Sequence, residues 1–155
     1  MDTNDPLFRK MAEKIRRYTK DRPEMNKLLG KVESDPEDIE LALELSVEMF
    51  NLVEPVTVNR YNLANHPSPY LIIHGAVIEL LTMAGLCYTR NELKYSDQGI
   101  SVSVNDKGPE YSKWAQGLIQ DYYMKAKKLK GLLNLNACRG GIPSEFATCD
   151  WFYGG

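Results

Sequence analysis

Between Pro69 and Tyr88 the chain reads PYLIIHGAVIELLTMAGLCY, twenty residues with one acid, Glu79, at the centre. A helix this apolar has no polar face to give to water, so it has to be covered nearly all round. Its length is about that of a bilayer span. A central acid, however, costs on the order of 2.5–3.5 kcal/mol on insertion scales, and His74 and Thr82 sit close to it. A helix buried in protein is therefore expected over Pro69 to about Arg90, and no membrane partner. Gly75 and Gly85 weaken it locally but let another backbone come close.

Other segments can supply the cover. Leu7, Phe8, Met11 and Ile15 form an apolar stripe at helical spacing, beside a basic face of Arg9, Lys10, Lys14, Arg16, Arg17 and Lys20. A second helix is expected from Ser34, read as its N-cap with Glu37 three residues on, to Val53. Its apolar residues, with Leu41, Leu45, Met49 and Leu52 beyond the main face, exceed one stripe, so covering on more than one side is expected. Pro109 opens the last helix. There Tyr111, Trp114, Ala115, Leu118, Ile119, Tyr122, Ala126, Leu129 and Leu133 recur every three or four residues, and the helix is expected to end near Leu133. Lys125, Lys127, Lys128 and Lys130 cluster late in it, where positive charge complements the helix dipole. Solvation of that end or contact with an acidic or nucleic-acid partner are the two uses open to them.

Ahead of that helix a β-hairpin is expected at about 92–105. Leu93 and Tyr95 alternate on one strand and Ile100, Val102 and Val104 on the other, linked by Asp97-Gln98-Gly99. A lone hairpin is marginal in water, so it must pack on a helix or pair with a strand, including a neighbouring subunit's. The fold class expected is mainly α, a small helical bundle with one β-hairpin insertion and an extended C-terminal arm. The body spans 1–133 and the arm 134–155.

At 155 residues one domain suffices. A net charge of −2 argues against a dedicated nucleic-acid binder, which is normally basic. The three cysteines, Cys87, Cys138 and Cys149, lack C-x-x-C spacing and no signal peptide precedes them, so a reducing cytoplasm is the expected place of synthesis. A Cys138–Cys149 disulfide across the arm is the alternative.

Chemistry is hard to find. The two histidines, His66 and His74, have no second ligand at a metal-like spacing, and Glu79 lies five residues from His74. Gly140-Gly141 lacks the lysine and hydroxyl of a phosphate loop, and no G-x-S-x-G occurs. Asp35, Glu37, Asp38 and Glu40 suit a helix start rather than acid–base work. No catalytic residue, metal or cofactor is expected, and a non-enzymatic protein is.

The arm ends Asp150-Trp151-Phe152-Tyr153-Gly154-Gly155. Three consecutive aromatics are unlike a solvated tail and call for burial, on this body or on another chain.

Four stretches, LIIHGAVIELLTMAG, CYTRNELKYSDQGISVSV, EYSKWAQGLIQDYYMKAKKLKG and NACRGGIPSEF, resemble the head–tail connector (adaptor) proteins of tailed-phage necks, over roughly Pro69 to Phe146. The resemblance implies a virion structural protein that forms a homo-oligomeric ring, commonly a dodecamer, beneath the portal protein. It also implies a C-terminal arm that docks on the portal, with Ile142, Phe146, Trp151, Phe152 and Tyr153 as anchors. The hairpin would then face a neighbouring subunit or the next neck or tail protein, and Lys125, Lys127, Lys128 and Lys130 would line a channel in transient contact with passing DNA. A soluble helical binding module whose tail clamps back on its own body is the competing expectation.

Overall fold

The computed structural model describes residues 5–26, 30–57, 59–91, 93–97, 100–104 and 107–139, with side chains apart from 93–104 and 139. Among them the order is α1 (Pro6–Thr19), α2 (Pro36–Leu52), α3 (Pro69–Arg90), β1 (Leu93–Asp97), β2 (Ile100–Val104) and α4 (Gly108–Arg139).

Local chemistry starts each of the first three helices. Pro6, Pro36 and Pro69 stand in their first turns, where a missing N–H costs nothing. Asp5 Oδ1 accepts from the Leu7 N–H (2.8 Å), and Ser68 Oγ accepts from that of Leu71 (3.3 Å). On α2 the N-cap is Asp35, one residue later than expected, and Asp38 Oδ2 accepts from the Asp35 N–H (3.3 Å). The Ser34 N–H is engaged elsewhere, by Asp21.

The apolar α3 is the axis of the bundle. Ile72, Ala76, Val77 and Leu80 pack with Phe8, Met11 and Ile15 of α1 and Ile39 and Leu43 of α2. Leu71 and Ile78 pack instead with Phe50 and Val53 and with Ala115, Tyr122 and Ala126 of α4. Each such large side chain taken from water contributes about 1.5–3 kcal/mol. Contacts with α1, α2 and α4 bury half of its most apolar window, short of the all-round cover expected, and Tyr70 and Leu86 are exposed.

Gly75 lies where three helices meet. A β-carbon there would collide with Ser46 Oγ of α2 and come within 3.1 Å of the Tyr122 ring of α4. Ser46 Oγ uses this closeness to donate to the buried Ile72 carbonyl (2.9 Å), and the Tyr122 hydroxyl reaches the Ser46 carbonyl (3.4 Å). The approach at Gly75 is thus by side chains; the backbone approach expected occurs at Gly85, where a β-carbon would stand 3.4 Å from the Gly108 carbonyl oxygen and the Ser112 nitrogen of α4.

Two features differ from expectation. Helix α4 continues past Leu133 to Arg139, so the stretch from Asn134 to Arg139 is helical and not part of an extended arm. No glycine or proline stands between Leu133 and Gly140, and the Asn134 side chain donates to the Val56 carbonyl (3.1 Å). Of the α2 residues beyond its main face, Met49 is half-buried against the Phe50 and Tyr122 cluster, whereas Leu41 and Leu45 are exposed and Leu52 is 79% exposed. Between α3 and α4 the β1 and β2 backbones pair antiparallel, with Leu93 opposite Val104, Tyr95 opposite Val102 and Asp97 opposite Ile100.

Candidate functional site

A cleft of about 1020 Å³ opens between the end of α1 and the start of α4. Val77, Leu80, Leu81 and Ala84 of α3 and Leu118 of α4 give it an apolar lining, and Trp114, 61% exposed, stands beside them. Its polar edge comes from the α1–α2 connector. Glu33 Oε1 accepts from the hydroxyls of both Tyr88 on α3 and Tyr111 on α4, each at 3.0 Å. The two phenol rings stack, 5.4 Å apart and 7° from parallel. Burial pushes both phenols up from their ordinary value, and the Glu33 carboxylate adds to it.

Asp21 holds the connector in place. Its carboxylate accepts from the Glu33 N–H (2.6 Å), the Ser34 N–H (3.0 Å) and the Asn26 amide (2.7 Å), and pairs with Arg16 (3.3 Å). Burial alone would raise its pKa; these hydrogen bonds, with the Arg16 charge, outweigh it and hold the carboxyl below its ordinary value. Arg16 also donates to the Ser34 carbonyl (2.8 Å), so one member of the basic α1 face serves as a tie inside the fold. The cleft can take an apolar or aromatic group against a wall whose polar atoms bond to one another.

The lysine cluster divides. Lys127 and Lys128 are exposed. Lys125 is exposed too, but is bound to Asp121 (2.6 Å) and the Tyr70 hydroxyl (3.0 Å), which raise its pKa. Lys130 does not belong with them: it is fully buried. Its ammonium donates to the carbonyls of Asn51 (2.9 Å) and Val53 and lies 5.2 Å from the Phe50 ring centre. Desolvation lowers its pKa. A channel role for Lys130 is thus corrected, because the end of α2 presents unpaired carbonyls that a cation satisfies. Its four-residue spacing from Ala126 and Tyr122, both buried, was the available signal. The Glu33 bonds to Tyr88 and Tyr111 join residues 55 and 78 apart and left no local signal, whereas the Asp21 contacts reach no further than 13 residues.

His74 is buried with Nδ1 unpartnered, 5.5 Å from Tyr70 and 6.2 Å from Tyr122 between ring centres. His66 accepts from the Ser68 N–H at Nδ1 (3.1 Å), leaves Nε2 buried without a partner, and packs 4.4 Å from the Phe50 ring. Among the described residues no three His, Cys, Asp or Glu side chains gather as metal ligands. Cys87 and Cys138 are exposed free thiols. The arm residues Ile142, Phe146, Trp151, Phe152 and Tyr153, and the side chains of Leu93, Tyr95, Ile100, Val102 and Val104, lie outside the described set. Comparison with known proteins returns no match to a family model, to a curated protein or to a solved structure.

Proposed function

We propose that this protein is a non-enzymatic structural component of the tailed-phage neck, a ring that joins the portal to the tail. The observation that carries the reading is the course of α4. Its first half packs on α3 and completes the helical core, and it then runs on to Arg139, with Leu132 and Leu135 exposed. A segment holding Ile142, Phe146, Trp151, Phe152 and Tyr153 follows this helix. Aromatic anchors of that kind dominate many interfaces, and here the partner is the portal. The uncovered Leu41, Leu45 and Leu52 of α2 supply an apolar patch for a ring neighbour. The β-hairpin insertion meets a neighbouring subunit or the next ring, and Lys127 and Lys128 are the basic residues available to a DNA channel.

The test is deletion of residues after Arg139. The shortened protein is expected to keep its helical signal and melting temperature but to be missing from portal-containing particles. Its normal incorporation sinks the reading. The cleft beside Trp114 favours a second reading, a helical binding module whose aromatic tail clamps onto its own body. In that case the same deletion lowers the melting temperature markedly.

A further inference from the structure

Helix α4 carries a second stripe, which starts at the rim of the cleft with Trp114 and Gly117 and then runs along the side turned away from the core. Starting at Trp114, the positions 117, 121, 124, 128, 131 and 135 follow at alternating steps of three and four, the spacing of a coiled-coil seam. Trp114 is 61% exposed, Met124 67% and Leu135 55%, whereas the packed face is marked by the buried Ala115, Tyr122 and Ala126. Gly117 and Gly131 also lie on this stripe, and a β-carbon at either would meet nothing within 4 Å. Glycine inside a helix lowers its stability relative to alanine. Nothing within the subunit requires it at these two places, but close approach of a second helix does.

We infer that this face of α4 pairs with the same face of a second copy, antiparallel about a twofold axis near Met124. The order of side chains along the stripe is self-complementary. Reversed against itself, it sets Trp114 against Leu135, Gly117 against Gly131 and Met124 against Met124. The charged members decide the direction. Antiparallel pairing places each Asp121 opposite a Lys128, while parallel in-register pairing places Asp121 on Asp121 and Lys128 on Lys128. Asp121 keeps its side chain 41% exposed, and the intrahelical bond from Lys125 uses Oδ2. The glycines meet at two points where the helices can approach closely, and the large side chains fill the space between those points. At about 1.5 Å per residue the seam runs roughly 32 Å. A twofold pair closes on itself. It is a property of the free protein and does not rest on the neck reading.

The full-length chain is expected to sediment as a dimer of its 17.6 kDa subunit. Lys128→Asp weakens the association by roughly tenfold or more, and adding Asp121→Lys restores most of it. Gly117→Leu supplies a second readout. On a free surface it only strengthens the helix, so a higher melting temperature together with a weakened dimer marks a packed seam. Where a charge variant fails to fold, crosslinking decides, with Cys87, Cys138 and Cys149 first changed to serine. Met124→Cys then crosslinks to itself, and Trp114→Cys crosslinks to Leu135→Cys on another molecule. A chain that stays monomeric at roughly 100 μM overturns the inference. So does an oligomer in which Met124→Cys forms no crosslink, or one in which Trp114→Cys crosslinks to itself instead.

Discussion

The ammonium of Lys130, on α4, donates to the carbonyl of Asn51 in the last turn of α2, 2.9 Å away and buried from water. Removing it leaves the end carbonyls of α2 without that donor and opens space beside Phe50. Lys130→Ala is expected to cost about 2–4 kcal/mol in denaturant unfolding. Lys127→Ala, on the exposed side, should stay within about 0.5 kcal/mol of wild type.

Gly75 and Ser46 form a coupled pair. Gly75→Ala drives a methyl into the Ser46 hydroxyl and is expected to destabilise by about 1–3 kcal/mol. Ser46→Ala removes the bond to the Ile72 carbonyl, at about 1 kcal/mol. The double variant should be less destabilised than the sum, since the colliding oxygen is gone. Additivity in a double-mutant cycle would mean that the helices shift apart without consulting this contact.

Burial and, beyond it, the Glu33 carboxylate raise the pKa of two tyrosines. Phenols with a raised folded pKa stay neutral while the unfolded chain ionises, so stability falls as pH rises beyond the ordinary value near 10. Glu33→Gln removes the carboxylate's charge but not the burial. Ultraviolet titration should show Tyr88 and Tyr111 ionising at lower pH than in wild type, with a smaller loss of stability above pH 10.

His66 acts at the acid end. Burial lowers its pKa from 6.5 to about 4. The unfolded chain therefore binds a proton first, and stability falls as pH drops from 6.5 towards 4, by on the order of 3 kcal/mol. His66→Asn keeps an acceptor for the Ser68 N–H and does not titrate. Melts across this range should show a shallower pH dependence for the variant, and an unchanged slope refutes the assignment.

The four helices were legible in the chain because each is written locally. Prolines in the first turns and apolar residues every three or four positions act within a few residues of themselves, and composition marked α3 as a core helix, although only half of its most apolar window is buried. Gly75 was legible as a point of close approach because a glycine inside an apolar helix has few other uses. Only the tertiary structure decided which charges belong inside. Lys130 reads like its neighbours in sequence and differs because the end of α2 arrives beside it with carbonyls to satisfy. Glu33 likewise gains its role from tyrosines on two other helices, brought together by packing on α3. Periodicity records how one helix divides its faces between core and water. It holds no record of which backbone end or hydroxyl will stand opposite a given side chain, since that depends on residues more than fifty positions away.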